Sequence, residues 1–246
     1  MTAGLTVALL VKLWSSGLAK IYKLLFCFLV SDLISAVVAL AVPYDTNWYG
    51  YLYVVLQTLK IAVAVPVLVE IYALALENTP ALAQFGRNTV RYVLAAAALF
   101  PVAWVLVDHA RSAHPYLRAF LLFEQTMNAT IAIFLIIISA FMAWFPVRMR
   151  RNVILYAGGF ILWSLSRSAM LHVINQWSGN KQVSLAANCA DMLIIAGCLL
   201  SWLLGLKREG ESRTAVVGHL WNRAEAERLA EQLHAINDSL ERLRRK

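Results

Sequence analysis

Apolar residues run through this chain in long, nearly unbroken blocks, and the blocks are about as long as a bilayer is thick. A helix crossing about 30 Å of hydrocarbon at about 1.5 Å per residue needs roughly 20 mostly apolar residues. Stretches near 22–42, 50–75, 91–108, 119–145, 153–174 and 185–206 meet that requirement. A shorter stretch over 3–19, "AGLTVALLVKLWSSGLA", carries Lys12 and is read as a marginal first span whose lysine snorkels. A cleaved signal peptide is the competing reading, but it would place basic residues ahead of the apolar run instead of inside it. The pattern therefore predicts an all-α, polytopic transmembrane bundle of seven spans, or six if the opening stretch does not cross.

Composition agrees, since 61% of the 246 residues are hydrophobic and only 15% charged, with a mean hydropathy of +0.65. Charge adds orientation, because short cytoplasmic loops retain Lys and Arg during insertion. Lys20 and Lys23, Arg87 and Arg91, Arg148, Arg150 and Arg151, and Lys207, Arg208 and Arg213 mark alternate connections. These are expected on the cytoplasmic side of a bacterial inner membrane. The intervening loops "PYDTNWYGY", "DHARSAHPYLR" and "NQWSGNKQV" are expected outside, although Arg111 and Arg118 weaken the contrast in the middle one. Seven spans then put the amino terminus outside and the carboxyl terminus in the cytoplasm. The net charge of +8 is accounted for by this basic excess beside anionic headgroups, so no nucleic-acid partner is called for. Cys27, Cys189 and Cys198 fall within predicted spans and show neither a disulfide framework nor zinc spacing.

Ionisable residues inside spans are costly, about 2.5–3.5 kcal/mol each near the bilayer centre on insertion scales, so they should face one another. Arg167 interrupts "GGFILWSLSRSAML" in the outer half of the sixth predicted span. Asp191 on the seventh and Glu124, Gln125 and Asn128 on the fifth lie at similar depth. Ser164, Arg167, Ser168 and His172 share one helix face; Ser184, Asn188 and Asp191 share another. An outward-side cluster of Arg167, Asp191 and Glu124, with Asn128, His172 and Asn188 as neighbours, is the candidate ligand or ion site. The alternative is a buried network that fixes helix register and binds nothing.

A second pair, Asp32 in "LVSDLIS" and Lys60 in "QTLKIAVAVPVLVEIY", is expected on the other side of the bundle, with Glu70 too far along its helix to share Lys60. Pro66 and Pro101 are read either as kinks that make room for a water or ligand or as ordinary membrane-helix irregularity.

The carboxyl-terminal stretch is different in kind. Leu229, Leu233, Ile236, Leu240 and Leu243 are spaced 4, 3, 4 and 3, a heptad seam reaching back to Ala226 and Asn222. The chain is thus expected to divide into a membrane bundle over 1–206, a cytoplasmic linker over 207–218 and an amphipathic coiled-coil helix over 219–246. That helix is expected to form a homo-oligomer or to meet a partner helix; the alternative is a helix lying on the membrane surface.

No metalloprotease, histidine-box, nucleophile-elbow, phosphate-loop or C-x-x-C pattern is present, so no enzyme activity, metal or cofactor is expected. An Asp32–Asp191 aspartyl pair lacks flanking glycines, and each Asp has a cation at matching depth. A retinal-binding lysine is missing from 185–206, which argues against a microbial rhodopsin. "ALLVKLWSSGLAKIYK" and "WFPVRMRRNVILY" resemble segments of uncharacterised multi-span inner-membrane proteins of soil bacteria, whose hydropathy plan extends over most of the chain. That resemblance implies a helical membrane fold and assigns no residue a role. Some bacterial sensors likewise join seven spans to a cytoplasmic coil. The expected role is sensing or scaffolding through a dimerising tail, with small-solute or proton transport through the same polar cluster as the alternative.

Overall fold

The computed structural model describes residues 2–42, 47–75, 92, 115–144, 148–177, 180–212 and 214–216, together with 227–228, 231–232, 235 and 242. Among the described residues there are six α-helices: α1 Thr2–Ser15, α2 Lys23–Ala41, α3 Asn47–Ala75, α4 Pro115–Trp144, α5 Arg151–Gln176 and α6 Lys181–Gly205. Five of them, α2 to α6, are long and apolar enough to cross a membrane. The expectation of seven spans is therefore met in part. With 14 residues α1 rises about 21 Å, short of the hydrocarbon thickness. The span expected over 91–108 lies outside the described residues.

The bundle carries its apolar side chains outward as well as inward. Leu40 is 84% exposed, Leu204 68% and Leu193 67%, while Glu124 and Asp191 are buried. Aqueous proteins do not leave such apolar surface continuous, whereas a lipid-facing wall requires it. Inside, Phe28 of α2 meets Phe160 and Trp163 of α5 edge-on, with ring centroids 5.2 and 5.4 Å apart. Trp163 stacks on Trp202 of α6 at 6.1 Å. The Trp202 indole N–H donates to the Leu155 carbonyl at 3.1 Å, so the ring is buried without an unpaired donor. Gly159 makes this approach possible, since a Cβ there would stand 2.6 Å from the Trp202 Cε2 atom.

Helix ends explain three polar residues that sit oddly in an apolar sequence. α1 stops at Gly17, whose φ of 74° is the left-handed conformation that glycine adopts freely. Lys12, half-buried, reaches a neighbouring helix end. Its ammonium donates to the Leu203 carbonyl in the last turn of α6, where carbonyls lack helical partners and the dipole is negative. Glu70 of α3 does the converse at the start of α2, accepting the Leu24 backbone N–H at 3.3 Å where Tyr22 supplies no side-chain cap. Asn180 caps α6 in the ordinary way, accepting from the Gln182 and Val183 N–H groups.

The described basic connections, with Lys20 and Lys23, Arg150 and Arg151, and Lys207 and Arg208, are brought to one end of the bundle. There β1, Arg148–Arg150, pairs antiparallel with β2, Thr214–Val216, in the register Met149 to Ala215. A short 3-10 turn, Arg208–Gly210, precedes β2, so residues 207–212 and 214–216, within the stretch expected as a linker, lie folded against the bundle. At the opposite end Tyr53, Glu124, Arg167 and Asp191 meet. α3 and α4 run parallel: Tyr53 touches Glu124 near their starts, and Ile71, Ala75, Leu135 and Ile138 line a common apolar cavity of about 250 Å³ near the other end. Ala75 and Pro115 thus stand at opposite ends of the bundle. The α3 helix continues through Pro66.

Two adjacent glycines in α5 allow a direct check of this packing. Gly159→Ala is expected to lower stability by about 1–3 kcal/mol through overpacking on Trp202. Gly158→Ala, where the added methyl meets nothing within 4 Å, should be neutral or slightly stabilising. Thermal unfolding in nanodiscs, followed by tryptophan fluorescence, separates the two.

Candidate functional site

Arg167 answers the problem that its charge poses by engaging three helices at once. Its Nε donates to Glu124 Oε1 at 2.7 Å and one terminal nitrogen to the Tyr53 hydroxyl at 3.0 Å. The Tyr53 hydroxyl donates in turn to Glu124 Oε2 at 2.9 Å, closing a ring of three side chains from α3, α4 and α5. The other terminal nitrogen lies 3.6 Å from Asp191 Oδ2 of α6. Ser166, next to Arg167, donates to Asp191 Oδ1 at 2.6 Å. Two carboxylates face one guanidinium here, and the hydroxyls of Tyr53 and Ser166 donate to them, which spreads the surplus negative charge over hydrogen bonds. The side chains of Glu124 and Asp191 are 2% and 5% exposed, that of Arg167 19%.

The Asp32–Lys60 pair forms between α2 and α3, with Nζ 2.5 Å from Oδ1 and 5.8 Å from the centre of the Trp163 ring. It does not lie on a separate side of the bundle. Lys60, Arg167 and Glu124 border one cavity of about 40 Å³, together with Gln57, Asn128 and Ser164. The two charged layers are therefore neighbours around a shared interior space.

The expected neighbours of Arg167 divide. Asn128 borders the cavity but bonds its own helix, donating to the Glu124 carbonyl at 2.8 Å. His172 is turned elsewhere, its Nδ1 lying 3.3 Å from Gln125 Nε2, while Asn175 donates to Gln125 Oε1 at 2.9 Å. Asn188 is exposed and donates to the Ser184 carbonyl one turn back, so it is no part of the cluster. Tyr53 and Ser166, which the sequence reading does not include, complete the cluster. The signal for Ser166 was its place beside Arg167; for Tyr53, its depth one helix away. The seam residues Leu229, Leu233, Ile236, Leu240 and Leu243 lie outside the described residues. Among the described residues no group of three His, Cys, Asp or Glu is disposed to hold a metal ion.

A second polar assembly closes the opposite end. Glu211, beyond α6, accepts from the Tyr22 hydroxyl at 2.6 Å, from Asn152 Nδ2 at 2.5 Å and from Arg150 at 3.2 Å. Asn152, fully buried at the start of α5, also donates to the Lys207 carbonyl at 2.8 Å. A Cβ at Gly210 would collide with that amide. Tyr22 packs edge-on against Tyr156 at 5.4 Å, and the Tyr156 hydroxyl donates to Glu70 Oε2 at 3.1 Å. Burial, reinforced by the Glu211 carboxylate, pushes the Tyr22 phenol well above its usual range and keeps it a neutral donor.

Three substitutions test the assemblies. Arg167→Ala, which strands two buried carboxylates, is expected to cost about 3–5 kcal/mol, and Tyr53→Phe about 1 kcal/mol, measured by thermal unfolding. Because Tyr22 titrates higher folded than unfolded, its contribution is complete below the ordinary phenol value of 10.0 and is lost as pH rises beyond it. Tyr22→Phe should remove that alkaline loss of stability. Compared with protein-family models, with curated proteins and with solved structures, the chain matches none.

Proposed function

We propose that this chain is an integral, multi-pass protein of a bacterial inner membrane that acts as a sensory or scaffolding module through its cytoplasmic carboxyl-terminal segment. The observation that carries the reading is that one helix, α5, takes part in both polar assemblies. Arg167 in its second half binds Glu124 and Asp191, and Asn152 at its start binds Glu211. Fifteen positions separate the two (167 − 152), about 22 Å along a stiff rod. A shift of α5 that rearranges the Arg167 ring also moves Asn152 against Glu211, the root of the tail. Packed helices of this kind shift between discrete arrangements instead of deforming continuously, which makes them suited to passing a signal.

The tail then provides the output. Glu227, Arg228, Glu231, Gln232, Ala235 and Arg242 are helical, exposed and off the heptad seam, as an assembling helix requires. Pairing through Leu229, Leu233, Ile236, Leu240 and Leu243, with a second copy or a partner helix, follows from that register. Transport of an organic solute fits less well, because the cavity beside Arg167 measures about 40 Å³.

Replacing Leu233 and Leu240 together with Asp is expected to convert an oligomer in nanodiscs to a monomer without changing the melting temperature of the bundle; an unchanged mass refutes assembly through the tail. Arg167→Lys, which keeps the charge and loses the planar fork that reaches Glu124, Tyr53 and Asp191 at once, is expected to speed hydrogen exchange at 207–216 severalfold. Exchange that stays at the wild-type rate in a folded Arg167→Lys protein refutes the coupling.

A further inference from the structure

The cavity between the two charged layers is bordered by polar groups that the other described residues do not satisfy. Ser164 is 2% exposed and borders the cavity, and its hydroxyl has no hydrogen-bond partner among the described residues. Six other helical hydroxyls among the described residues behave differently. Thr6, Ser31, Ser35, Thr58, Thr126 and Thr130 each donate to the carbonyl four residues earlier. Ser164 forgoes that bond. The Gln57 amide, on the facing wall, is likewise without a partner among the described residues, and Asn128 uses only its Nδ2 group. Lys60 and Arg167 bring charged N–H donors to the same space, and Glu124 brings carboxylate oxygens with further acceptor capacity.

A buried hydroxyl left unpaired costs as much as a lost hydrogen bond, and native interiors leave few of them. The groups around this cavity include both donors and acceptors, which suits a ligand that can do both. At about 40 Å³ the space exceeds the roughly 10–15 Å³ that one water needs and falls far short of a pocket for a metabolite. Its walls carry both signs of charge, so neither a bare anion nor a bare cation is matched on every side.

We propose that this cavity is a water-binding site. Ordered water hydrogen-bonds Ser164, Gln57 and Asn128 and joins the Arg167–Glu124 ring to the Lys60–Asp32 pair, so that the two layers form one network across α2, α3, α4, α5 and α6. The site accepts water and excludes organic ligands, and it supplies a hydrogen-bonded link between Glu124 and Lys60 that the side chains alone do not make. The inference is independent of the tail and of any signalling role.

The sign of a single conservative substitution tests it. In a dry cavity Ser164→Ala removes an unpaired buried hydroxyl and raises the melting temperature; at a hydrated site it deletes a partner of the bound water and lowers it. The lower value is expected, and an unchanged or higher one overturns the proposal. A second readout does not depend on stability. Infrared difference spectra of the full chain in nanodiscs, taken between ordinary and oxygen-18 water, are expected to show an internal water band that Gln57→Leu and Ser164→Ala each alter. Spectra with no isotope-sensitive band, or with one indifferent to both substitutions, overturn it.

Discussion

A guanidinium cannot be left in hydrocarbon, and the placement of four helices follows from that constraint. Arg167 needs opposite charge and hydrogen-bond acceptors at its own depth. Glu124 and Asp191 supply the charge from α4 and α6, and Tyr53 closes the arrangement from α3. Each contact fixes a vertical register between helices whose apolar surfaces alone would slide past one another, because lipid tails compete on equal terms with Leu and Ile for such contacts. Aromatic stacking of Phe28, Phe160, Trp163 and Trp202 fills the space between, but it packs a register that the charges have already chosen.

The two ends of the bundle solve different problems with similar chemistry. At the Arg167 end, charges within the helices neutralise one another away from water. At the basic end, the charges belong to connections, and Glu211 gathers Tyr22, Arg150 and Asn152 into a clasp that holds residues 207–212 and β2 on the bundle. Glu70 and Lys12 show a third use, each satisfying the bare terminus of a different helix. Among the described residues, Lys12, Asp32, Lys60, Glu70, Glu124, Arg167 and Asp191 are thus each assigned to a partner on another element.

How much of this was legible in the sequence depended on whether a cost could be attached to a position. Arg167, Glu124 and Asp191 were found together because depth along a helix is simple arithmetic and unpaired charge is expensive; Asp32 and Lys60 followed by the same reasoning. Direction around the helix was not legible, since membrane helices are apolar on both faces and the usual amphipathic signal is weak. That is why Asn188, three residues before Asp191, was grouped with it although it points outward. His172 was grouped by spacing, yet Gln125 proved the closer partner. Tyr53 looks in sequence like one more interfacial aromatic in "NWYGYLY", and only the fold shows its hydroxyl inside the Arg167 ring. The three-residue strands carry no periodicity long enough to register, so the docking of 207–216 was invisible.

The bond from Lys12 to Leu203 joins positions 191 residues apart. During synthesis α1 emerges with a charged side chain whose acceptor belongs to a helix not yet made. Until α6 enters the membrane, that ammonium must remain hydrated or be shielded by the insertion machinery, and the seam between α1 and α6 stays open. Closure of this bundle is therefore a late event in its biogenesis, deferred by the chain's own order of translation.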